Sequence, residues 1–319
     1  MADGQKRRMH TVPEGYLEAF AVHDPARRSA GIWRFDRTSG QSKMLGVGQS
    51  EVEKDFYTVF RDGNPDTGIE DIFCGIEGDF CKARNALLER TPLLKEHRTA
   101  LARFIAAQLL RTPRFFQLMQ DGLDAEGISY ERDDLKGAML VLIDRWIPRL
   151  ARMSAVLAYN DTGLPLLTCD NPAVMWKKNG DSFICGGVDQ YDPELVISCP
   201  ITPALAFVAY QTHESLQAVH AERHDIPRAE RVPGTFVSHV DGGTLPELEV
   251  KRLNQICISN AHRYVYASYS DKPLLRFLQN RFFGSPAPVR SRDLQPIGSP
   301  VAIAKATRPL QCSGHFSGS

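Results

Sequence analysis

The chain has 319 residues, of which 43% are apolar and 24% are charged, and it carries 38 basic and 38 acidic side chains. A chain of this length and composition can bury a sizeable core, which excludes a wholly disordered protein. The balanced charge excludes a strong overall field for nucleic acid or for an anionic membrane, although a local basic groove stays open.

The location of the protein is predicted from its cysteines and its N-terminus. Seven cysteines, an odd number, are scattered without the spacing of a zinc knuckle or of a disulfide framework, so we expect reduced thiols and a cytoplasmic protein. Residues 1–8 are polar and basic, unlike a secretory signal. The most apolar stretch, residues 135–157, is interrupted by charged residues such as Asp144 and Arg145, so we predict no membrane segment.

The first half of the chain predicts a hairpin followed by helices. Residues 32–36 alternate apolar and polar side chains, a turn follows, and residues 43–47 return. From residue 68, apolar residues recur at steps of three and four, which is typical of an amphipathic helix. A second helix is predicted over 94–111, with its end or a kink before Pro113, and a third begins at residue 133 and is bent by Pro148.

The second half of the chain predicts short strands and one further long helix. The predicted elements are strands over 164–169, 183–185, 195–199, 204–210 and 264–268, and helices over 246–261 and 273–282. Residues 284–319 are rich in Pro and Ser and are predicted to be a disordered tail.

The order of these elements predicts the fold class. We expect a single α+β domain over residues 9–283, with a helical block over 68–158 and a strand-rich part over 164–269. The N-terminal hairpin and the helical block would pack on a small, mainly antiparallel sheet.

Polar residues directly follow a predicted strand in the string Asp170-Asn171-Pro172. The ends of strands often present polar groups to a ligand, so Asp170 is a candidate metal ligand or general base and Asn171 a candidate binding residue. The alternative is an Asx-type turn, in which Asp170 accepts hydrogen bonds from nearby backbone amides.

Further candidates lie on the predicted helices and near the N-terminus. Glu77 lies at the boundary of an apolar helix face, where a partly buried carboxylate or an ordinary solvated one would both fit. Gln108, with Arg111 one turn on, and Asn254 lie on apolar faces and would bind either a loop backbone or a substrate. His10 would serve as a ligand or base, or simply pack at the surface.

Together these short motifs resemble the family called domain of unknown function 4238, and the resemblance covers roughly residues 9–269. It depends on the order of the motifs along the chain, since each one is short. The motifs are His10-x-x-Pro13-x-x-Tyr16-Leu17-x-x-Phe20, Asp55-Phe56-Tyr57, the helix from Ile69-Glu70 to Glu77, Gln108-x-x-Arg111-Thr112-Pro113, Thr168-x-Asp170-Asn171-Pro172, and Leu253-Asn254 before Arg263-Tyr264-Val265-Tyr266-Ala267.

The resemblance implies no agreed biochemical activity, although some members of the family are linked to defence against bacteriophage. It does imply that polar residues far apart in the chain match family positions, and we expect them to converge in one pocket. Those residues are His10, Glu77, Gln108, Asp170 and Asn171. Cys169 departs from the small polar residue that the family usually shows there.

Two functions are compatible with these residues. The first is a metal-dependent hydrolase, similar to a phosphodiesterase or nuclease, with His10, Glu77 and Asp170 catalytic. Glu77 and Asp170 would hold Mg²⁺ or Mn²⁺, because carboxylates suit hard cations. The substrate would be a small molecule or, less favoured by the balanced charge, a nucleic acid, bound by Gln108, Arg111, Asn171 and Asn254. The second is a non-catalytic ligand-sensing or protein-interaction module in which the same residues form a structural network.

Overall fold

The helices and strands are seen in a computed structural model. It describes residues 8–22, 30–50, 52–61, 64–91, 93–180, 182–185, 188–212, 240–270, 274 and 278. The predicted tail over 284–319 and most of the predicted helix over 273–282 lie outside the described residues.

The N-terminal part of the chain consists of short strands and three short helical segments. Its elements are β1 (Arg8–His10), α1 (Glu14–Leu17), a 3-10 turn (Glu18–Phe20), β2 (Gly31–Asp36), β3 (Ser42–Gly46), a 3-10 turn (Val47–Gln49), β4 (Val52–Lys54), β5 (Val59–Arg61) and β6 (Asn64–Asp66). The predicted hairpin is confirmed as the antiparallel pair β2 and β3. β1 pairs with β4, which places the His10 backbone beside a strand more than forty residues away.

The predicted helical block is confirmed, with one additional helix. The long helices are α2 (Gly68–Leu88), α3 (Lys95–Leu110), α4 (Pro113–Ala125), α5 (Arg132–Leu150) and, late in the chain, α6 (Glu247–Asn260). The sequence analysis missed α4. It placed the break at Pro113 correctly, but this proline is the first residue of a new helix, and Thr112 Oγ1 accepts a hydrogen bond from the Phe115 amide as its N-cap. None of the described helices combines the length and the apolar character needed to cross a lipid bilayer.

The helical block ends earlier than predicted. α5 contains Pro148 and stops at Leu150, and residues 154–158, which we assigned to the block, belong to strand β7. Proline has no amide hydrogen to donate and its ring disturbs the preceding turn, which favours the end of the helix near Pro148. β7 lies between β12 and β13, and its backbone groups form hydrogen bonds with these two strands.

A six-stranded sheet forms the centre of the molecule, in the order β10-β9-β11-β12-β7-β13. Its strands are β7 (Ser154–Tyr159), β9 (Val174–Asn179), β10 (Ser182–Cys185), β11 (Val196–Thr202), β12 (Leu205–Tyr210) and β13 (Val240–Thr244). All neighbours are antiparallel except β13, which runs parallel to β7. The sequence analysis missed β9, because its first three residues are all buried and show no alternation of polarity.

Both faces of this sheet are covered, which gives a three-layer arrangement. Alternate residues such as Ile197 and Phe207 share one core with the helical block. Their neighbours, including Trp176 and Val208, share another core with α6. The sheet is thus a buried central layer, and the α+β class is confirmed.

A second sheet of four strands determines the position of Asp170, which directly follows one of its strands. Its order is β3-β2-β14-β8, where β14 is Tyr264–Ala267 and β8 is Thr168–Cys169. The predicted strand over 164–169 is therefore reduced to its last two residues. This sheet packs on α6, and Asp170 leaves β8 directly beside the segment that joins α6 to β14.

Candidate functional site

Arg111 is the centre of a buried polar cluster at the C-terminal end of α3. Its side chain is 1% exposed. Nη1 donates to Glu77 Oε1 at 2.7 Å, Nη2 to the His10 carbonyl at 2.6 Å, and Nε to the Thr11 carbonyl at 3.2 Å. One guanidinium group therefore joins α2, α3 and the N-terminal segment, using the fork of donors that only arginine provides.

Aromatic rings enclose the same guanidinium group. Its central carbon lies 4.4 Å from the centre of the Phe73 ring and 5.5 Å from that of Tyr57, and the Tyr57 hydroxyl donates to the Arg111 carbonyl at 2.6 Å. Burial opposes the charge of Arg111, whereas Tyr57 and Glu77 raise its pKa above the usual value. The cation is thus held in place by protein groups on several sides.

His10 contributes its backbone to the Arg111 cluster and directs its side chain elsewhere. Nδ1 lies 3.1 Å from the Ser50 carbonyl, and because a carbonyl only accepts, Nδ1 carries the hydrogen. Nε2 lies 3.7 Å from Glu14 Oε2, at the partly exposed edge of the cluster. The imidazole is therefore fixed by one hydrogen bond to the backbone, since the contact with Glu14 is longer than a hydrogen bond.

The side-chain amide of Gln108 forms no hydrogen bond in the described part of the chain, unlike the polar groups of the Arg111 cluster. Its side chain is fully buried, one helical turn before Arg111, and neither its oxygen nor its nitrogen has a hydrogen-bond partner in the described part of the chain. A buried amide without a partner costs about 1–3 kcal/mol for each unsatisfied group. Such a group is rare in folded proteins and requires an explanation.

Asp170 forms the centre of a second polar cluster. Its carboxylate is 4% exposed, and it accepts from the backbone amides of His262 (2.7 Å, Oδ1), Arg263 (2.5 Å, Oδ2) and Tyr264 (2.8 Å, Oδ2). Its own amide donates to the Tyr264 carbonyl at 3.0 Å. Burial raises the pKa of Asp170, and the three amides oppose that shift. The hydrogen bonds resemble those of an Asx turn, but the amides come from a segment 92 to 94 residues further along the chain.

Two asparagines of α6 connect the same strand end to the helix. Asn254 accepts from the Leu167 amide at 2.8 Å and donates to the Pro165 carbonyl at 3.0 Å. Asn260 donates to the Asn171 carbonyl at 2.8 Å. Of the two readings of Asn254, its contacts are those of a residue that holds a loop backbone.

The candidates thus belong to two groups of contacts. The first group contains His10, Glu77 and Arg111, and Gln108 lies one helical turn away on α3. The second group surrounds the end of β8 and contains Asp170, Asn171 and Asn254. Tyr16 lies near the second, since its hydroxyl donates to the Pro200 carbonyl and accepts from Thr168 Oγ1. A single pocket that unites all of these residues stays a prediction.

A divalent cation would have to be held by the carboxylates of the two clusters. Glu77 already pairs with Arg111, and both oxygens of Asp170 already accept amide hydrogens. Within the described ranges, no three His, Cys, Asp or Glu side chains are grouped so that they could hold a metal ion. The six described cysteines form no disulfide with one another. The carboxylates of Glu77 and Asp170 therefore do not fit a metal centre.

Sequence reasoning missed several residues that complete the two clusters. Tyr57 was recognised only as part of a motif, and Thr11 and Asn260 were not selected at all. Thr11 acts through its backbone carbonyl, which no sequence pattern distinguishes. Arg114 and Arg37, which donate to carbonyls at the end of α6, were also missed because the contacts span 146 and 224 residues.

The architecture defines an α+β protein with two buried polar clusters and a covered central sheet. A family model described as "Protein of unknown function (DUF4238)" matches residues 8–271. Because this match spans most of the chain, the chain belongs to that family, as the order of its motifs indicated. The chain matches no curated protein and no solved structure.

Proposed function

We propose that this chain is a non-catalytic ligand-sensing module of the cytoplasm, in which the Arg111 cluster and the Asp170 cluster are structural. The ligand would be a small, uncharged polar molecule that occupies the hydrogen-bonding groups of Gln108. Ligand binding beside Arg111 would be transmitted to the N-terminal segment through the His10 and Thr11 carbonyls, which the guanidinium group holds.

One observation carries this proposal. Gln108 is completely buried with both polar atoms unpaired. The charged groups of the Arg111 cluster, one helical turn further along α3, are bound by protein partners. Charged groups that already have partners are suited to maintaining a shape. An amide with unused donors and an unused acceptor is suited to recognising a ligand that supplies them.

A metal-dependent hydrolase is the competing proposal, with Asp170 and Glu77 as cation ligands and His10 as the group that activates water. The engaged carboxylates argue against it. A role in defence against bacteriophage depends on the family resemblance alone and is compatible with either proposal, since a sensor and a hydrolase could both act in such a system.

We expect Gln108→Leu to stabilise the ligand-free chain by about 1 kcal/mol, because two unsatisfied polar atoms are removed while the side-chain volume is nearly kept. Urea unfolding of the refolded, dialysed protein measures this change. In parallel, thermal unfolding is followed with a panel of pentoses, nucleosides and amino-acid amides. Any compound that raises the Tm of the native chain should leave the Tm of Gln108→Leu unchanged.

The matched control is Gln117→Leu, at an exposed position of α4, which should change the stability by less than about 0.5 kcal/mol. A clear loss of stability in Gln108→Leu would mean that the amide has a structural partner, and the sensing proposal would then fail. The same thermal-unfolding measurement is repeated separately with Mg²⁺ and with Mn²⁺. A rise in Tm with either cation that is lost in Asp170→Asn would favour the hydrolase instead.

A further inference from the structure

Two cysteines face each other between α6 and the edge strand β8. The asparagines three residues before and three residues after Cys257 hold the backbone two residues before and two residues after Cys169. These contacts join Asn254 to the Leu167 amide and Asn260 to the Asn171 carbonyl, each at 2.8 Å. Because residues at steps of three share a side of a helix, the hydrogen bonds on either side place Cys257 opposite Cys169.

The two thiols are in contact. A side-chain hydrogen bond joins Cys169 to Cys257, and the Cys169 thiol also donates to the Asn171 carbonyl at 3.1 Å. Both residues belong to one buried apolar cluster, in which Cys169 is 0% and Cys257 is 2% exposed. Cα atoms of α6 approach those of β8 to within 8 Å. A disulfide spans about 4.4–6.8 Å between its Cα atoms, so the two elements are close enough for one.

Apolar packing alone accounts for only part of this arrangement. A buried cysteine can act simply as a small apolar side chain, and either residue could be explained in that way if it stood alone. Here the reactive groups of two cysteines are held against each other by the asparagines that flank Cys257. The reactants of a disulfide are thus already in place.

We propose that Cys169 and Cys257 form a reversible disulfide when the chain meets hydrogen peroxide, and that this bond fixes the end of β8 to α6. Disulfides of cytoplasmic proteins are usually transient and report oxidation. The fixed strand end leads directly into Asp170, so oxidation tightens the second polar cluster. The pair lies between α6 and β8, whereas Gln108 lies on α3, and it does not depend on the proposed sensing function.

Hydrogen peroxide is the oxidant in this reaction. The sulfur of one cysteine attacks a peroxide oxygen, the O–O bond breaks, and a sulfenic acid and one water form. The sulfur of the other cysteine then attacks the sulfenic sulfur, the S–O bond breaks, and a second water leaves with the remaining thiol proton. The two cysteines lose two hydrogen atoms, and one peroxide becomes two waters.

Burial makes the reaction slow while the strand end is closed. Burial and the neighbouring Cys257 raise the pKa of the Cys169 thiol, so little thiolate is present at neutral pH. β8 has only two residues and lies at the edge of its sheet. Oxidation therefore follows the transient opening of this edge strand.

Mass spectrometry of the full chain tests the bond directly. The reduced protein is treated with hydrogen peroxide, free thiols are blocked with N-ethylmaleimide, and the chain is cut with trypsin in the absence of a reductant. Trypsin leaves Cys169 as the single cysteine of the peptide 153–177 and Cys257 as that of the peptide 253–263. We expect these two peptides to be joined with the loss of two hydrogen atoms and to be separated again by dithiothreitol.

Thermal unfolding measures the effect of the bond on the fold. The disulfide closes a long loop, since the hydrogen-bonded neighbours Asn171 and Asn260 are already 89 residues apart. Oxidation should therefore raise the Tm by about 4–8 °C, and dithiothreitol should reverse the rise. Cys169→Ser and Cys257→Ser should each abolish it, whereas Cys74→Ser, at an exposed position, should retain it.

The peptide measurement needs only the native chain, so it decides the question even if a serine variant at one of the buried positions does not fold. The exposed thiol of Cys74 shows that the oxidant has acted. The proposal is overturned if Cys74 is oxidised while the peptides 153–177 and 253–263 stay separate, or if they are joined without a rise in Tm.

Discussion

Replacing Arg111 by methionine is expected to lower the free energy of unfolding by about 3–5 kcal/mol, the largest effect that we expect from any single change in the chain. The substitution keeps much of the apolar stem but removes every donor. The carbonyls of His10 and Thr11 would lose their hydrogen bonds, and Glu77 would lose its counter-charge. Urea unfolding followed by circular dichroism measures the change.

Arg103→Met, on the exposed face of the same helix, is the control and should change the stability by less than about 0.5 kcal/mol. Glu77→Gln separates the ion pair from the other contacts of Arg111. A cycle of the two single variants and the double variant should give a coupling energy of about 1–3 kcal/mol. A stability close to that of the native chain in Arg111→Met would show that the cluster does not hold the N-terminal segment to the helices.

Asp170→Asn should lower the free energy of unfolding by about 3 kcal/mol, because three charge-assisted hydrogen bonds are lost or weakened at once. Asparagine retains one acceptor oxygen, but its NH₂ group would face an amide that also donates. The segment 262–264 would then detach from the end of β8. Hydrogen exchange at these three amides, together with urea unfolding, reports both effects.

Asp144→Asn, at an exposed position of α5, is the control for the loss of a carboxylate and should be nearly neutral. The comparison also distinguishes the two proposed functions. If Asp170→Asn has the same urea midpoint and the same amide exchange rates at residues 262–264 as the native chain, the carboxylate is not structural. That result would argue for a chemical role of the carboxylate.

The sequence was sufficient to select Asp170 as a candidate site residue, but it was not sufficient to predict the role of its carboxylate. Its place after an apolar strand was visible in the sequence, and both a turn and a ligand were considered. Its partners could not be identified, because the amides of residues 262–264 have no side-chain signature and become adjacent only when β8 pairs with β14. Register between strands is set by the packing of both faces of a sheet, which a local pattern does not contain.

Gln108 and Arg111 show the same difference on a helix: the sequence predicted their positions but not their hydrogen-bond partners. Their spacing predicted that they lie one turn apart on the buried face of α3. It could not distinguish a satisfied polar residue from an unsatisfied one, since that depends on which neighbours supply partners. Arg111 receives them from α2 and from the N-terminal segment, and Gln108 does not.

By itself the sequence determined the features that depend on neighbouring residues: the amphipathic helices, the hairpin, the break before Pro113, the α+β class and the ordered motifs of the family. Those features follow from local periodicity and from backbone stereochemistry. Only the tertiary structure decided that the carboxylates of Glu77 and Asp170 lie in different clusters, each bound by protein donors. Such contacts join residues far apart in the chain, and they form only when helices and sheets pack together.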